Sequence, residues 1–104
     1  GLWAQIRLEE IGGGLRVPGD SVTLYCRGHG LDRFGTVWWY RQTGGGHLQW
    51  VSVITSDSSV IRFGKSVKGR ASASRDNSKT LTSLSLRALH PQDSACYFCA
   101  VAQR

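Results

Sequence analysis

The sequence predicts an all-β fold in which two sheets pack face to face. Short apolar runs with alternating side chains are separated by turns rich in glycine and hydroxyl side chains, and no window shows a sustained helical period. At 104 residues the chain suits one domain with one core. Two distant cysteines, Cys26 and Cys99, bracket a tryptophan, Trp39. This combination is typical of a sandwich with a tryptophan buried between its sheets.

The first half of the chain predicts four strands. In the best defined of them, Val22, Leu24 and Cys26 alternate onto one face, which directs Cys26 into the core. The glycines at 12–14 interrupt the first strand and indicate a bend from one sheet to the other. Turns or polar loops separate the segments. The four strands are predicted over residues 5–9, 21–26, 37–42 and 48–54.

The second half predicts further strands of the same kind. Residues 55–59 form an exposed hairpin tip, after which residues 60–63 pair back weakly. A turn is predicted at 76–79 and a corner at 90–93. The remaining strands are predicted over residues 70–74, 81–86 and 95–101, and eight or nine short strands at this spacing favour a sandwich.

The chain is basic, with a formal net charge of +6. Such a balance can indicate nucleic acid or a membrane surface as a partner. The sequence has no basic helix, no dense cationic run and no recognisable nucleic-acid module, so we interpret the charge as a solvated basic surface. No stretch approaches the roughly 20 apolar residues that span a bilayer. Neither nucleic acid nor a membrane is an expected partner of this domain.

No catalytic or cofactor-binding motif is present in the sequence. His29, His47 and His90 fall in three separate predicted loops, and no nucleophile motif accompanies them. Neither glycine triplet precedes a Lys-Ser or Lys-Thr pair, as phosphate binding needs. Cys96 and Cys99 have C-x-x-C spacing, but strand alternation directs them to opposite faces and there is no second ligand pair. We expect no enzyme activity, no cofactor and no metal.

The chain has three cysteines, an odd number. One structural disulfide and one remaining thiol is the simplest assignment, and it implies an oxidising, secretory route. The first four residues do not fit the strand that follows and end in a small residue, like the tail of a secretory leader; an ordinary frayed terminus is the alternative. The expected organisation is a leader-like segment over residues 1–4 and one domain over residues 5–104.

Several stretches of the sequence together carry a family resemblance. They are Leu8-Glu9-Glu10 before the glycine triplet, Pro18-Gly19, Cys26, Trp39-Tyr40-Arg41-Gln42, Leu48-Gln49-Trp50-Val51-Ser52, Ser66-Val67-Lys68-Gly69-Arg70, Ser74-Arg75-Asp76-Asn77-Ser78-Lys79 and Asp93-Ser94-Ala95-Cys96-Tyr97-Phe98-Cys99. From Gln5 to Cys99, with framework lengths intact, the chain resembles the variable domain of an immunoglobulin heavy chain. Tyr40 stands where heavy chains mostly carry valine, and Trp-Tyr-Arg-Gln is also common in T-cell receptor chains.

The resemblance implies a V-type Greek-key sandwich with a fixed set of structural residues. Cys26 and Cys99 would form the disulfide between the sheets, Trp39 would pack on that bridge, and Tyr97 would occupy the tyrosine-corner position. The last strand of such a domain comes from a joining segment, whose motif is missing here. We therefore expect an open sheet edge at the final strand.

Two further assignments concern the last predicted strand and its corner. Arg70 and Asp93 resemble the charge pair that closes one end of variable domains, whereas two exposed charges of little energetic weight are the alternative. Cys96 replaces a valine or similar outer-face residue without a role of its own. The alternative for Cys96 is a disulfide to another chain or to a cysteine in a rearranged third loop.

Strand alternation predicts an outward apolar face that includes Phe98 and Cys96. An exposed patch of this kind is normally covered by a partner. By resemblance that partner is a second variable domain, from a light chain or a partner receptor chain, with Gln42 bonded to its counterpart. Single-domain antibodies replace the leucine and tryptophan of this patch, and both are kept here. The predicted partner face comprises Tyr40, Gln42, Leu48, Trp50 and Phe98.

By resemblance, antigen binds to three loops at one end of the sandwich. Their short polar groups and occasional aromatics suit adaptable hydrogen bonding, although solvated loops have a similar composition. The predicted loop residues are His29, Gly30, Leu31, Asp32, Arg33, Phe34, Gly35, Thr36, Ile54, Thr55, Ser56, Asp57, Ser58, Ser59, Val60, Ile61, Ala100, Val101 and Ala102.

The expected function is antigen recognition by the variable domain of an immunoglobulin heavy chain. The leader-like start and the missing joining motif suggest a translated germline variable exon, with a trimmed fragment as the alternative. The domain would be extracellular, as part of a larger secreted or cell-surface receptor chain. A T-cell receptor variable domain of heavy-like or delta type and an invariant adhesion or co-receptor domain of the immunoglobulin superfamily are the alternatives.

Overall fold

The computed structural model describes residues 2–4, 9–12, 16–28 and 35–103. Within them, nine strands form two antiparallel sheets, with orders β1-β9-β4-β5-β6 and β2-β3-β8-β7, which confirms the predicted all-β sandwich. No helix in these ranges is long and apolar enough to cross a membrane. The strands are β1 Leu2–Ala4, β2 Glu9–Gly12, β3 Val22–Arg27, β4 Thr36–Gln42, β5 Leu48–Ile54, β6 Ile61–Phe63, β7 Ala71–Asp76, β8 Leu81–Leu86 and β9 Cys96–Gln103, with single 3-10 turns at Asn77–Lys79 and Pro91–Asp93.

The core lies between the sheets and is built from alternate positions of the central strands. Val37 and Trp39 of β4, Leu84 and Leu86 of β8, and Val51 of β5 are each at most 1% exposed. The disulfide between Cys26 and Cys99 joins β3 of one sheet to β9 of the other, within the same buried cluster as Trp39. Each large apolar side chain buried here contributes roughly 1.5–3 kcal/mol.

The pairing register between β4 and β5 shifts by one residue, which changes the side of the sheet to which the side chains of β5 point. Trp39 pairs with Ser52 and Tyr40 pairs with Trp50, so Val51 is the extra residue of a bulge. As a result Val51 and Ser52 are both buried, while Trp50 turns outward. Gly64 lies against this point: a β-carbon there would sit 2.5 Å from the Trp50 carbonyl oxygen, so only glycine fits.

The edge of β9 away from β4 differs from the predicted open edge. β1 pairs antiparallel with β9 over the last three residues of that strand, with Trp3 opposite Ala102. The expectation of an open edge is therefore wrong over residues 101–103. The reason is that an edge strand exposes unpaired backbone N–H and C=O groups, which form ladder hydrogen bonds with any extended segment within reach.

Candidate functional site

The outward face of β9, β4 and β5 carries a continuous group of aromatic side chains. Tyr40 and Phe98 are opposite each other in the β4–β9 ladder, and their rings stack with centroids 6.0 Å apart and planes 23° apart. Tyr40 is also opposite Trp50 in the β4–β5 ladder. Three neighbouring strands therefore each contribute one ring to the centre of this face. We call it the outer face, formed by Trp38, Tyr40, Gln42, Leu48, Trp50, Cys96 and Phe98.

Two apolar side chains of the outer face are exposed to solvent. Leu48 is 59% exposed and Trp50 is 36% exposed. Trp50 is held in place because its indole N–H donates to the Ser52 carbonyl at 2.9 Å and its ring lies 6.4 Å from that of Trp38. The sequence interpretation omitted Trp38, although its position two residues before Tyr40 places it on the same side of β4.

The polar end of the outer face holds Gln42 and Cys96, which are directly opposite each other in the β4–β9 ladder. The Gln42 side-chain amide is exposed and donates to the Gly46 carbonyl at 3.3 Å. Cys96 is an exposed free thiol. Both groups are therefore accessible from solvent at the edge of the aromatic cluster.

A second group of predicted residues meets at the base of the sandwich, around Asp93. Asp93 is only 7% exposed. Arg70 makes a two-pronged contact with it, with distances of 2.7 Å and 3.0 Å to the two carboxylate oxygens. The His90 backbone N–H and the Arg41 guanidinium donate to the same carboxylate at 2.8 Å and 2.9 Å. These are buried, charge-assisted contacts, not the exposed pair that was the alternative.

This environment sets the pKa of Asp93. Burial alone would raise it, but hydrogen bonds from Arg70, from the His90 backbone and from Arg41 outweigh burial and hold the pKa of Asp93 well below its ordinary value. The carboxylate therefore stays charged down to strongly acidic pH and acts as a structural anion.

Sequence reasoning missed the part played by Arg41. Its side chain is 3% exposed, donates to Gln49 at 2.8 Å as well as to Asp93, and reaches the Tyr97 hydroxyl at 3.0 Å. The Tyr97 hydroxyl in turn donates to the Asp93 carbonyl at 2.7 Å, which ties β9 to the corner before it. Alternation from Val37 and Trp39 would have placed Arg41 inward, and a buried arginine needs an acidic partner.

At the opposite end of the sandwich, residues 55–59 form a tight polar loop. Ser58 has a positive φ of 63°, and its backbone N–H donates to the Thr55 carbonyl at 2.9 Å. The Ser59 side chain and backbone N–H lower the pKa of Asp57, which is exposed at the tip. The loop therefore presents fixed hydroxyl and carboxylate groups to solvent.

Sequence reasoning also missed Arg75 of β7, whose side chain forms hydrogen bonds with this loop. One guanidinium nitrogen donates to the Gly35 carbonyl at 2.6 Å and to the Thr55 carbonyl at 3.2 Å. The Asn77 amide donates to the Ser56 carbonyl at 2.9 Å. Arg75 thus links residue 35, just before β4, to the 55–59 loop.

Several predicted loop residues are in fact strand residues. Ile54 and Val101 are fully buried, so the prediction that they contact antigen is wrong. The alternation that places Tyr97 and Cys99 inward continues to Val101, because β9 extends beyond the predicted loop start. The predicted loop positions that lie in strands are Thr36, Ile54, Ile61, Ala100, Val101 and Ala102, and residues 29–34 lie outside the described residues.

The potential metal-binding side chains of the described residues do not gather into one site. These residues contain no cluster of three or more His, Cys, Asp or Glu side chains that could hold a metal. A cavity of about 300 Å³ at the base is lined by core side chains such as Val22, Leu24 and Leu86, and by Asp93, whose carboxylate is already hydrogen-bonded. His47 and His90 are both exposed in separate connections.

Comparison with protein families agrees with this geometry. The family model of the immunoglobulin V-set domain matches residues 15–104. The match covers the disulfide cysteines, the three strands of the outer face and the base around Asp93.

Proposed function

Because the chain belongs to the immunoglobulin V-set family, we propose that it is the variable domain of an immunoglobulin heavy chain, which recognises antigen without catalysis. V-set domains are generally recognition modules, are typically extracellular and commonly pair with another variable domain. The proposed domain would accordingly belong to a secreted or cell-surface receptor.

The observation that carries this proposal is the outer face. Leu48 and Trp50 expose much of their apolar surface beside the stacked Tyr40 and Phe98 rings. Aromatic residues at the centre of a patch are the usual energetic core of a protein interface, and a rim of polar groups surrounds them. Gln42 supplies such a polar group at the margin. A second variable domain is the partner proposed for this face.

Antigen would bind at the end of the sandwich that carries the 55–59 loop. Hydrogen bonds within that loop and the support from Arg75 and Asn77 fix its backbone before any ligand arrives. A loop that is already ordered loses less conformational entropy on binding than a mobile one. Exposed hydroxyl groups and the Asp57 carboxylate suit polar contacts to antigen.

A T-cell receptor variable domain is the second candidate, and Tyr40 is the observation that favours it. Its ring lies at the centre of the outer face, stacked on Phe98, where heavy chains mostly present a smaller valine. A large ring at this position changes the shape that a partner must match. Light-chain domains and T-cell receptor partner domains would therefore differ in affinity for this face.

Pairing measurements test the proposal directly. The chain is mixed with light-chain variable domains and, separately, with T-cell receptor partner domains, and association is measured by sedimentation equilibrium. We expect association with light-chain domains, weakened at least about tenfold by Leu48→Glu because an unpaired charge would be buried in the interface.

The matched control is Val17→Glu, which places the same charge on another exposed apolar residue, 62% exposed and remote from the outer face. It should leave pairing unchanged. Association with T-cell receptor domains alone would replace the first candidate by the second. A chain that stays monomeric with both classes of partner at high concentration would overturn both candidates.

A further inference from the structure

Three turns meet at the base of the sandwich, at the end opposite the 55–59 loop. The Leu89 backbone N–H donates to the Asp20 carbonyl at 2.9 Å, which joins the first turn to the third. The Arg87 backbone N–H donates to the Arg70 carbonyl at 2.9 Å, which joins the third turn to the second. We call this region the basic end, formed by residues 16–21, 64–70 and 87–90.

The basic end concentrates exposed cations. Lys65, Lys68 and Arg87 are all exposed, and so is Arg16. Within the described part of the chain, the side chains of Lys65 and Lys68 form no ion pair or hydrogen bond. Arg87 donates to the Gly69 carbonyl at 2.5 Å, which holds its guanidinium beside the turn that carries both lysines.

The basic end carries little negative charge that could offset its exposed cations. The Asp93 carboxylate is buried and is bound by Arg41 and Arg70, so it does not offset the exposed cations. Asp20 is the exposed carboxylate of the three turns. Four exposed cations against one exposed carboxylate leave +3 at this end, half of the +6 of the whole chain.

We propose that the basic end binds a linear sulfated polysaccharide. Sulfate groups carry a fixed negative charge at regular intervals, so one chain can contact several cations at once and release the counterions that surround it. Two long, flexible lysine side chains three residues apart adapt to such a repeat without a preformed pocket. No residue of the outer face belongs to this region, so polysaccharide and a partner domain could bind together.

Sulfated polysaccharides and nucleic acids are the two common classes of polyanion, and the disulfide of the core favours the first. The buried Cys26–Cys99 disulfide requires an oxidising compartment. Sulfated polysaccharides are the abundant polyanions outside the cell, whereas nucleic acids are kept mainly in reducing compartments. The proposal therefore commits to the polysaccharide.

The test is the affinity of the 104-residue chain for heparin, measured by calorimetry across a series of NaCl concentrations. We expect the logarithm of the affinity to fall linearly with the logarithm of salt concentration. The double variant Lys65→Gln/Lys68→Gln should bind heparin at least about tenfold more weakly at physiological salt.

The matched control is Arg27→Gln/Lys79→Gln, which also removes two positive charges but at the opposite end of the sandwich. There the Gly28 backbone N–H donates to the Thr80 carbonyl. This control should change the affinity by less than about twofold. An equal loss in both double variants would show a response to net charge alone and overturn the site. Tighter binding to duplex DNA of equal charge, or equal binding to unsulfated hyaluronan, would overturn the proposed ligand.

Discussion

Two cysteines three residues apart on β9 have opposite surroundings. Cys99 is 2% exposed and forms the disulfide with Cys26, beside Trp39 in the core. Cys96 is an exposed thiol at the margin of the outer face. Because strand side chains alternate, one segment of chain supplies both a buried, cross-linked position and a solvent-exposed one.

The same contrast between inward and outward side chains holds along β9 and β4. Their inward side chains close the core and the Asp93 network, where a changed atom leaves a cavity or an unpaired charge. Their outward side chains stack on one another but stay accessible to a partner. Substitutions on the two faces should therefore separate cleanly into effects on stability and effects on association.

The largest expected effect on the inner face is the loss of the disulfide. Cys26 and Cys99 are 73 residues apart, and a bridge closing a loop of that length contributes about 4 kcal/mol in the chain-entropy model. That is comparable to the total stability of a small domain. We expect Cys99→Ala to lack a cooperative thermal transition by circular dichroism. A native-like melting curve for this variant would contradict the role given to the bridge.

The second effect concerns the buried carboxylate at the base. Asp93→Asn leaves the Arg41 and Arg70 guanidinium groups without their anion, and breaking a buried ion pair costs about 3–5 kcal/mol. Chemical denaturation at neutral pH should show this loss. Asp20→Asn is the matched control, since it removes an exposed carboxylate at the same end and should change stability by less than about 0.5 kcal/mol.

The same residue predicts a pH dependence. The pKa of Asp93 is lower in the folded chain than in the unfolded chain, so the unfolded state takes up the proton first as pH falls. The stabilisation is complete above about pH 5 and is lost progressively below about pH 4. The difference in unfolding free energy between wild type and Asp93→Asn should therefore shrink in acid. A difference that is constant from neutral to strongly acidic pH argues against this assignment.

Much of the inner face could be predicted from the sequence because alternation is a local signal. The bounds of β5 and β8 agree with the predicted segments 48–54 and 81–86, and the inward direction of Cys26 followed from Val22 and Leu24. The same rule extended from Cys99 would have placed Val101 in the core. The resemblance instead assigns Val101 to an antigen-binding loop, against the alternation that continues from Cys99.

What the sequence could not supply were contacts between distant segments. Arg41 and Asp93 are 52 positions apart, and Arg75 reaches a carbonyl 40 positions away. No local pattern encodes such distances. The pairing of β1 with β9 had no pattern either, since three residues are too few to show a period.

The smallest expected effect is on the outer face of β9, at Cys96. Its thiol is exposed, and serine has nearly the same size, so Cys96→Ser should change the unfolding free energy by less than about 0.5 kcal/mol. Thiol titration of the native chain should find one reactive group in the wild type and none in the variant. Both outcomes follow from the position three residues before Cys99, on the opposite face of the strand. A destabilisation comparable to that of Cys99→Ala would show that the outer face also contributes to the core, and the division between the two faces would fail.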